Sequence, residues 1–545
     1  MQRALFCERL ILSNTIHDLD VDQLDALIAR LNEAKEFSLT LTKEDIDLLL
    51  GAISTLFTLQ SSLASNSVTI NKLRKLLGIV VSSEDLSNLL GADAESTETP
   101  PRDENKSRKP TENDTKPRYR IEPKVVHHPL VEVKKGSRCP CCEIGTISKQ
   151  APTELLRITG HSPYSAVNHV QERGRCNACG EYFKAPLPED VLADGGENQK
   201  YGYTARSFMV LSKYFMGAPF YRQQSLQASL GVPIAASTVF DQCAKVAEDA
   251  TPVFEALIGL AANAVHFHTD DTSHHILDQK EVLKPQRKTQ KLEKRTGTFA
   301  SGLIATTQCG HDIVLFQTNI GHAGEWLDQV LLTRDASLPK PLLMSDALSR
   351  NRPSLVVAIE TLCNTHARRE YVDVLAHFRQ EVSEILHLYK LIWINEHFTC
   401  TEKMSKADRL AYHRTHSLPV MEKIRSWGQA KLAEGVETNS GLGKAIQYFL
   451  NHYTGLIGFC AHEGAKLDNN RMEAQLKLIV RGRKNFSFYK TQAGALVSDV
   501  ATSLIATCVC ADENPFEYLT ALQRYSARVK ADPGRWLPWN YRANL

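Results

Sequence analysis

The period of the apolar positions changes along the 545-residue chain, and the first clear pattern is helical. Over residues 49–77 leucines recur at alternating steps of three and four, which is the spacing of a coiled-coil seam. Asn66 lies on this seam, where a polar residue can set the register between chains. Thr42 and Asp45 have the spacing of a capping box that begins a helix. The alternative is an amphipathic helix that folds onto its own domain.

Short apolar runs typical of strands follow one another between residues 263 and 346. The runs are ANAVHFHT, TFASGLIAT and DIVLFQTN, then the helix-like GHAGEWLDQVLL, and then PLLMSD. Three strands, a helix and a fourth strand predict an α/β sheet. The periods are helical from about 353 to 460, and two or three more helices are predicted between 468 and 526.

Two segments of contrasting composition precede this sheet. Residues 92–125 are polar, contain prolines and have almost no large apolar side chains, so we predict a disordered linker. Residues 193–262 are predicted to be helical, and within them Gly231 separates two helical patterns. Ser237 can cap the second pattern, so the segment is predicted to resemble a helix-turn-helix.

Composition and charge narrow the class of protein. Apolar residues make up 43% of the chain and charged residues 23%, which predicts several folded domains. Lys and Arg number 64 against 62 Asp and Glu, so a nucleic-acid surface must be sought locally. No apolar run approaches the roughly 20 residues that span a bilayer, and acids interrupt the apolar N-terminal stretch. We therefore expect a cytosolic protein without membrane contact.

Five of the 13 cysteines lie in two clusters, which is unlike a secreted disulfide framework. Cys139 with Cys142, and Cys176 with Cys179, form two CxxC pairs that together suit one tetrahedral zinc ion. The neighbouring Cys141 can replace one ligand. We predict a zinc ribbon with a structural Zn²⁺, and unliganded buried cysteines are the alternative. Nearby basic residues suit phosphate contacts or, equally, protein docking: Arg138, Arg173, Arg175 and Lys184.

Two aspartates end predicted strands of the sheet. Asp270 ends the first and Asp346 the fourth, and carboxylates at strand ends face the crevice where ligands bind. Two of them can share a pair of Mg²⁺ ions about 4 Å apart. Glu473 is the best candidate for a third ligand. The alternatives are ordinary polar residues at strand ends and, for Glu473, a capping box with Asn470.

Basic residues accompany Glu473 on the same predicted helix, where they can hold a polyanionic substrate against an acidic cluster. These residues are Arg471, Lys477, Arg481, Arg483 and Lys484. A second basic segment, from Lys280 to Gly297, joins the first two strands. This segment either contacts the phosphates of a nucleic acid or forms a solvated hairpin loop.

The order of these motifs resembles the transposases of the insertion-sequence-66 family. After the leucine-rich helix, the CxxC pairs and the helical segment come HTDDT, LMSDALSRN, CNTHARREY, LDNNRMEAQLK, GRKNF, NPFEYL and LPWNY. The resemblance implies a multidomain α+β protein with an RNase H-like catalytic core of the DDE type. In such a core three acids bind two Mg²⁺ or Mn²⁺ ions, nick DNA at the element ends and join the 3′-hydroxyls to target DNA.

The same resemblance implies roles for individual residues. Asp270, Asp346 and Glu473 correspond to the three catalytic, metal-binding acids. Asp271 stands where the family commonly has Glu, and alternation along the strand allows only one of Asp270 and Asp271 to point into the site. The motif match favours Asp270, with Asp271 supporting it from beside the site.

The CNTHARREY block matches a CxxHxRR block of the family. His366 is expected beside the metal site, and Arg368 and Arg369 suit contact with the DNA backbone or with the scissile phosphate. The alternative is a helix N-terminus paired with nearby acids. Asn469 and Asn470 are expected to support the metal ligands or to contact phosphate.

The predicted regions form one series along the chain. They are a leucine-rich coiled-coil region (1–91), a linker (92–125), a zinc ribbon (126–192), a helical DNA-binding segment (193–262), a catalytic core (263–500) with an all-helical insertion at about 366–460, and a helical C-terminal tail (501–545). The expected function is DNA transposition. The alternatives are a non-catalytic, sequence-specific DNA-binding protein derived from a transposase, and a nuclease without joining activity. Expected partners are element-end and target DNA, a second copy of the chain, and small accessory proteins of the same element.

Overall fold

In a computed structural model, the chain divides into two units, Met1–Pro100 and Pro101–Leu545. The structure describes residues 162–545, apart from 178, 180, 286–291 and 296, together with single residues before 162. In the first unit Thr42 Oγ1 accepts a hydrogen bond from the backbone of Asp45 at 3.2 Å and donates one to its carboxylate at 2.6 Å. This is the predicted cap geometry. The leucine seam from Ala52 onward and the linker lie outside the described residues.

The second unit is built around a mixed sheet of five strands. The strands of the described chain are β1 (Arg173–Arg175), β2 (Tyr182–Lys184), β3 (His266–His274), β4 (Val282–Pro285), β5 (Leu292–Arg295), β6 (Thr298–Thr306), β7 (Asp312–Asn319), β8 (Leu342–Ser345) and β9 (Ile359–Leu362). The order in the sheet is β7-β6-β3-β8-β9; β7, β6 and β3 pair antiparallel, and β3, β8 and β9 pair parallel. Two small hairpins, β1–β2 and β4–β5, lie outside this sheet.

Helices surround this sheet in the described part of the chain. Before it come α1 (Glu189–Ala193), α2 (Tyr203–Val210), which continues into a π-helix (Leu211–Phe215), α3 (Phe220–Ser229) and α4 (Ala236–Ala262). Between its strands lies α5 (Ala323–Leu331). After β9 come α6 (Asn364–Val374), α7 (Arg379–Thr401), α8 (Lys406–His416), α9 (Leu418–Ala433), α10 (Gly441–Leu456) and α11 (Gly458–Ala461). The chain ends with α12 (Asn470–Phe486), α13 (Gln492–Cys510), α14 (Pro515–Arg524) and α15 (Ser526–Ala531).

Both faces of the sheet are covered, which explains why the strand sequences are continuous apolar runs. Along β6, Leu303 and Ala305 pack into the core formed with α4 and α5, whereas Ala300 and Ile304 face α12. This alternation is the period of two that a strand imposes on its side chains. The helix α12 therefore lies flat on one face of the sheet, and its first turn reaches the strand ends.

The helix α13 covers the edge strand β7 with hydrogen-bonding side chains. Three polar residues spaced four apart, Asp499, Ser503 and Thr507, accept hydrogen bonds from alternate backbone N–H groups of β7 at 2.7, 2.8 and 3.0 Å. Among the described residues, α13 alone is long and apolar enough to cross a membrane by composition, but 78% of its most apolar window is buried in the protein. Its apolar surface thus belongs to the core.

The predicted strands and the helix between them are present. The sequence pattern missed β9, whose four residues, IETL, are too short to show a period. The prediction that Ser237 caps a helix is wrong, because α4 begins after Ala235 and its first amide donates to the side chain of Gln224 at 2.8 Å. Gly231 does lie between α3 and α4, with a positive φ of 83°.

Candidate active site

The crevice opens where β8 ends beside the longer strand β3. The parallel register pairs His268 of β3 with Met344 of β8, and Asp346 directly follows the last residue of β8. Two further residues along each strand bring Asp270 and Asp346 level with one another. Asp270 itself lies opposite Gly302 of β6, so β3 continues to be paired on its other side. The short strand β8 thus leaves the carboxyl end of the sheet open beside Asp270.

Asp346 is held by the loop that follows β8. Its Oδ1 accepts hydrogen bonds from the backbone of Leu348 at 3.1 Å and from Nδ2 of Asn351 at 2.9 Å. The carbonyl of Asn351 in turn accepts a hydrogen bond from Thr269 Oγ1 at 3.2 Å. The loop therefore links Asp346 to the residue before Asp270. Asn351 is fully buried, which fixes this arrangement.

Glu473 extends from the first turn of α12. The helix begins after Asn469, with no side-chain cap, and the side chain of Asn470 donates to Asp468 at 3.0 Å. The alternative capping box between Asn470 and Glu473 is therefore absent. Oε1 of Glu473 is buried without a hydrogen-bond partner in the described part of the chain, and Oε2 lies 3.9 Å from Arg369.

Asn469 joins the three segments that form the crevice. Its backbone N–H donates to Sγ of Cys363 at 3.2 Å, immediately after β9. Its side-chain amide donates to the carbonyl of Thr269 at 3.0 Å, and its Oδ1 lies 3.0 Å from Nδ1 of His268. These contacts tie the start of α12, and hence Glu473, to the strand that carries Asp270.

Burial and neighbouring acids both disfavour the charged form of Asp270. Burial, followed by the charge of Asp346 and those of Asp271 and Glu473, raises the pKa of Asp270 to about 7. The backbone N–H of Asp271 donates to Asp270 Oδ1 at 2.8 Å and offsets part of this increase. A buried carboxylate that is repelled by neighbouring acids forms a site that a cation would stabilise.

Asp271 lies beside basic side chains, whereas the hydrogen bond to Asp270 comes from a backbone N–H. Its side chain is 1% exposed, and its Oδ2 lies 2.7 Å from Nδ1 of His322 at the start of α5. Its Oδ1 lies 3.6 Å from Arg350. The two adjacent aspartates therefore have different surroundings, as alternation along a strand requires.

The three arginines of α12 contact the protein itself. Arg471 pairs with Asp312 of β7, Arg481 donates to a backbone carbonyl at 2.8 Å, and Arg483 donates to Thr272 at 2.9 Å. The two lysines predicted to contact DNA are exposed: Lys477 and Lys484. In the other basic block, Arg368 lies 5.8 Å from the centre of the Trp393 ring.

The second CxxC pair lies in the turn of the hairpin β1–β2. The N–H of Cys179 points to Sγ of Cys176 at 3.5 Å, a contact suited to a thiolate. Arg173 and Arg175 lie 5.3 and 5.2 Å from the ring centre of Tyr182 across the hairpin. Cys139 and Cys142 fall outside the described residues, so the zinc ribbon stays a prediction.

Three residues of the crevice were not predicted from the sequence. They are Asn351, His322 and Cys363, which contact Asp346, Asp271 and Asn469 respectively. Asn351 is the last residue of the LMSDALSRN motif and Cys363 is the first of CNTHARREY, and membership of these motifs was the available signal. His322 is 51 residues from its partner and has no comparable signal.

The fold and the crevice define a mixed α/β protein with an acidic cluster suited to divalent cations. A family model described as Transposase IS66 family matches residues 200–496, more than half of the chain. The chain belongs to this family, and the resemblance inferred from its motifs is confirmed. Membership implies DNA binding and indicates a transposase-type activity.

Two proteins of Sinorhizobium fredii (strain NBRC 101917 / NGR234) are also similar to this chain. One is named "Uncharacterized protein y4jD" and is 24% identical over 424 residues, covering 74% of this chain and 78% of that protein. The other is named "Uncharacterized protein y4hP" and is 22% identical over 440 residues, covering 77% and 76%. The similarity thus extends over most of each chain.

Proposed function

We propose that this protein is a DDE-type DNA transposase. It cleaves DNA at the ends of an insertion sequence and transfers the 3′-hydroxyl ends to target DNA in a reaction that depends on divalent metal ions. The register of β3 and β8 carries the proposal, because it brings Asp270 level with Asp346, while Asn469 ties the helix turn that carries Glu473 to the same strand. The sheet order, three antiparallel strands followed by two parallel ones, supports an RNase H-like core.

The donor set of the crevice fits Mg²⁺ or Mn²⁺. Asp270, Asp346 and Glu473 offer carboxylate oxygens, which these hard cations prefer. The mutual repulsion at Asp270 and the unpartnered Oε1 of Glu473 are both features that a cation would offset. When bound, such ions activate an attacking water or hydroxyl and neutralise charge that develops at phosphorus.

The protein's own residues position the acids. Asn351 and the backbone of Leu348 orient Asp346, the N–H of Asp271 orients Asp270, and Asn469 fixes the helix turn that carries Glu473. Preorganised ligands reduce the reorganisation that the reaction would otherwise require. Asp271, paired with His322, supports the strand and does not act as the metal ligand.

DNA contact is assigned to two exposed basic regions. Lys477 and Lys484 lie on α12, beyond Glu473, and can neutralise phosphates close to the crevice. The hairpin β1–β2 presents Arg173, Arg175 and Tyr182 on one exposed face. A ribbon stabilised by Zn²⁺ and a coiled coil that pairs two chains complete the proposal.

The proposal is tested by strand cleavage and joining on a labelled element-end duplex with Mg²⁺. The native chain is expected to cleave and join, and Glu473→Gln to lose both activities by at least about a thousandfold. The matched control is Glu463→Gln, at an exposed position before α12, which is expected to behave as the native chain.

Equal activity in native protein and Glu473→Gln would overturn the catalytic assignment. If the native chain binds the duplex without cleaving it, the protein is a non-catalytic DNA-binding protein. Cleavage without joining would reduce the proposal to a nuclease.

A further inference from the structure

A sulfur, a nitrogen and an oxygen atom that can bind a metal ion come together at Glu473. Cys363, His366 and Glu473 each offer one atom, and the three atoms lie within 4.8 Å of one another. Cys363 follows β9 and is the N-cap residue of α6, while His366 lies in the first turn of that helix. Glu473 approaches from the first turn of α12.

The spacing of Cys363 and His366 explains why both side chains reach one point. Positions N-cap and N3 of a helix face each other, which is why a Ser-x-x-Glu capping box can close there. Here the same two positions carry a thiol and an imidazole, and the N–H of His366 points to the sulfur of Cys363. Two metal-binding side chains are therefore presented together by an 11-residue helix.

Two backbone N–H groups point to the sulfur of Cys363. They are the N–H of Asn469, at 3.2 Å from Sγ, and the N–H of His366. Donors aimed at a ligand atom from the surrounding protein orient that ligand in metal sites.

The other two ligand atoms have no hydrogen-bond partner in the described part of the chain. Nδ1 of His366 and Oε1 of Glu473 are both buried without a hydrogen bond in the described part of the chain. They lie 3.7 Å apart, too far for a hydrogen bond. Two ligands of a tetrahedral zinc ion stand about 3.3 Å apart, given bonds of roughly 2.0–2.1 Å, so a small closure suffices.

We propose that Cys363, His366 and Glu473 form a transition-metal site that takes Zn²⁺. A thiolate, an imidazole and a carboxylate are ligands for zinc, whereas Mg²⁺ selects oxygen ligands alone. Three protein ligands leave the fourth tetrahedral position open. Glu473 belongs to both this site and the acidic cluster, but the zinc site stands on ligand chemistry and does not require nuclease activity.

The test is Co²⁺ titration of the full-length chain, stripped of metal under reducing conditions and followed by absorption spectroscopy. Thiolate-bound Co²⁺ gives a charge-transfer band, and tetrahedral Co²⁺ gives intense visible bands. Cys363→Ser and His366→Ala are each expected to bind about one ion fewer per chain than the native protein. Excess Zn²⁺ is expected to displace the Co²⁺ and remove the bands.

The control is Cys460→Ser, at a buried thiol in α11 that is not part of the three-residue group. It is expected to bind as many ions as the native chain. Because the predicted ribbon cysteines also bind Co²⁺, the difference between native and variant chains is the measured quantity. Using two variants from different positions guards against misfolding of one, and circular dichroism reports the fold of each.

Equal stoichiometry and equal spectra in the native chain and in a folded Cys363→Ser or His366→Ala variant would overturn the zinc site. That outcome leaves the transposase proposal intact, because the readout is metal binding. Conversely, a chain that lacks cleavage activity but loses one Co²⁺ in both variants would retain the zinc site and lose the transposase.

Discussion

Two buried aspartates, Asp270 in the crevice and Asp499 on α13, have pKa values raised to about 7 for different reasons. Asp499 is raised by burial alone, and both its oxygens accept hydrogen bonds from Thr318 of β7, from its N–H and from its hydroxyl, each at 2.7 Å. Asp270 is raised by burial and by three neighbouring acids, with one backbone N–H to oppose them. The carboxyl of Asp499 is fully hydrogen-bonded, whereas the carboxyl of Asp270 is repelled by its neighbours.

This difference shows that the cause of a raised carboxyl pKa must be known before the pKa is used to identify a functional site. A raised pKa indicates a functional site when the cause is the convergence of like charges, because nothing in folding requires that arrangement. The same pKa at Asp499 comes with complete hydrogen bonding and serves the sheet. Substitutions at the two positions should therefore have opposite effects.

The largest effect is expected for Asp270→Asn on catalysis. Loss of one anionic oxygen donor should reduce cleavage of a labelled element-end duplex by at least about a thousandfold. The variant should remain folded, since Asn keeps the volume and an acceptor for the N–H of Asp271. Asp499→Asn is the matched control and should retain cleavage at a temperature where it is folded. Equal losses in both variants would remove the distinction between the two carboxyls.

The next effect concerns stability. Asp499→Ala leaves the buried N–H and hydroxyl of Thr318 without acceptors, which should destabilise the protein by about 2–4 kcal/mol. The midpoint of urea unfolding, followed by circular dichroism, measures this change. Asp499→Asn, which keeps one acceptor oxygen, should lose less. An unchanged midpoint in Asp499→Ala would show that α13 holds β7 by apolar packing alone.

A smaller effect is expected on how the stability contributed by Asp270 changes with pH. A carboxyl whose pKa is raised on folding stabilises the native state below its unfolded pKa of about 4, and this contribution is lost as pH rises through about 7. Asp270→Asn removes this loss and should be more stable than the native chain at pH 8 by about 1–3 kcal/mol. Urea midpoints at pH 5 and pH 8, without divalent ions, give the comparison. A difference between the native chain and Asp270→Asn that is the same at pH 5 and at pH 8 would contradict the raised pKa of Asp270.

The smallest expected effect is on the positioning of Asp346. Asn351→Ala removes one hydrogen bond to this carboxylate and should reduce the cleavage rate by about tenfold. Asn451→Ala, at an exposed position of α10, is the control. Rates measured at saturating Mg²⁺ distinguish misplacement of the carboxylate from weakened ion binding. A rate equal to that of the control would remove Asn351 from the positioning network.

Local patterns predicted the parts of this molecule that depend on local order. TFASGLIAT and DIVLFQTN were recognised as strands because both faces are buried and the apolar runs are continuous. The helix start before α4 was assigned to Ser237 because a serine is a common cap, but Gln224, twelve residues away in sequence from Ala236, supplies the acceptor. Such contacts depend on the packing of α3 against α4, which a one-dimensional pattern does not contain.

The residues of the candidate site also divide into those that the sequence predicted and those that it did not. Asp270, Asp346 and Glu473 were predicted because strand ends and a motif order mark them. Asn351 was not predicted, although it lies five residues after Asp346 in the same motif. His322 was not predicted because it meets Asp271, 51 residues away, only through the fold. For Asp270 and Asp271, which are adjacent on one strand, the motif match favoured Asp270, and the structure gives the two side chains different neighbours.

The covering of β7 by α13 also restricts how copies of this protein can associate. A free edge strand would offer its backbone to another chain and invite strand addition or fibre growth. Asp499, Ser503 and Thr507 occupy those backbone groups with side chains, so the sheet cannot extend on that side. Copies that pair on DNA through this edge would have to displace α13 and expose the core beneath it.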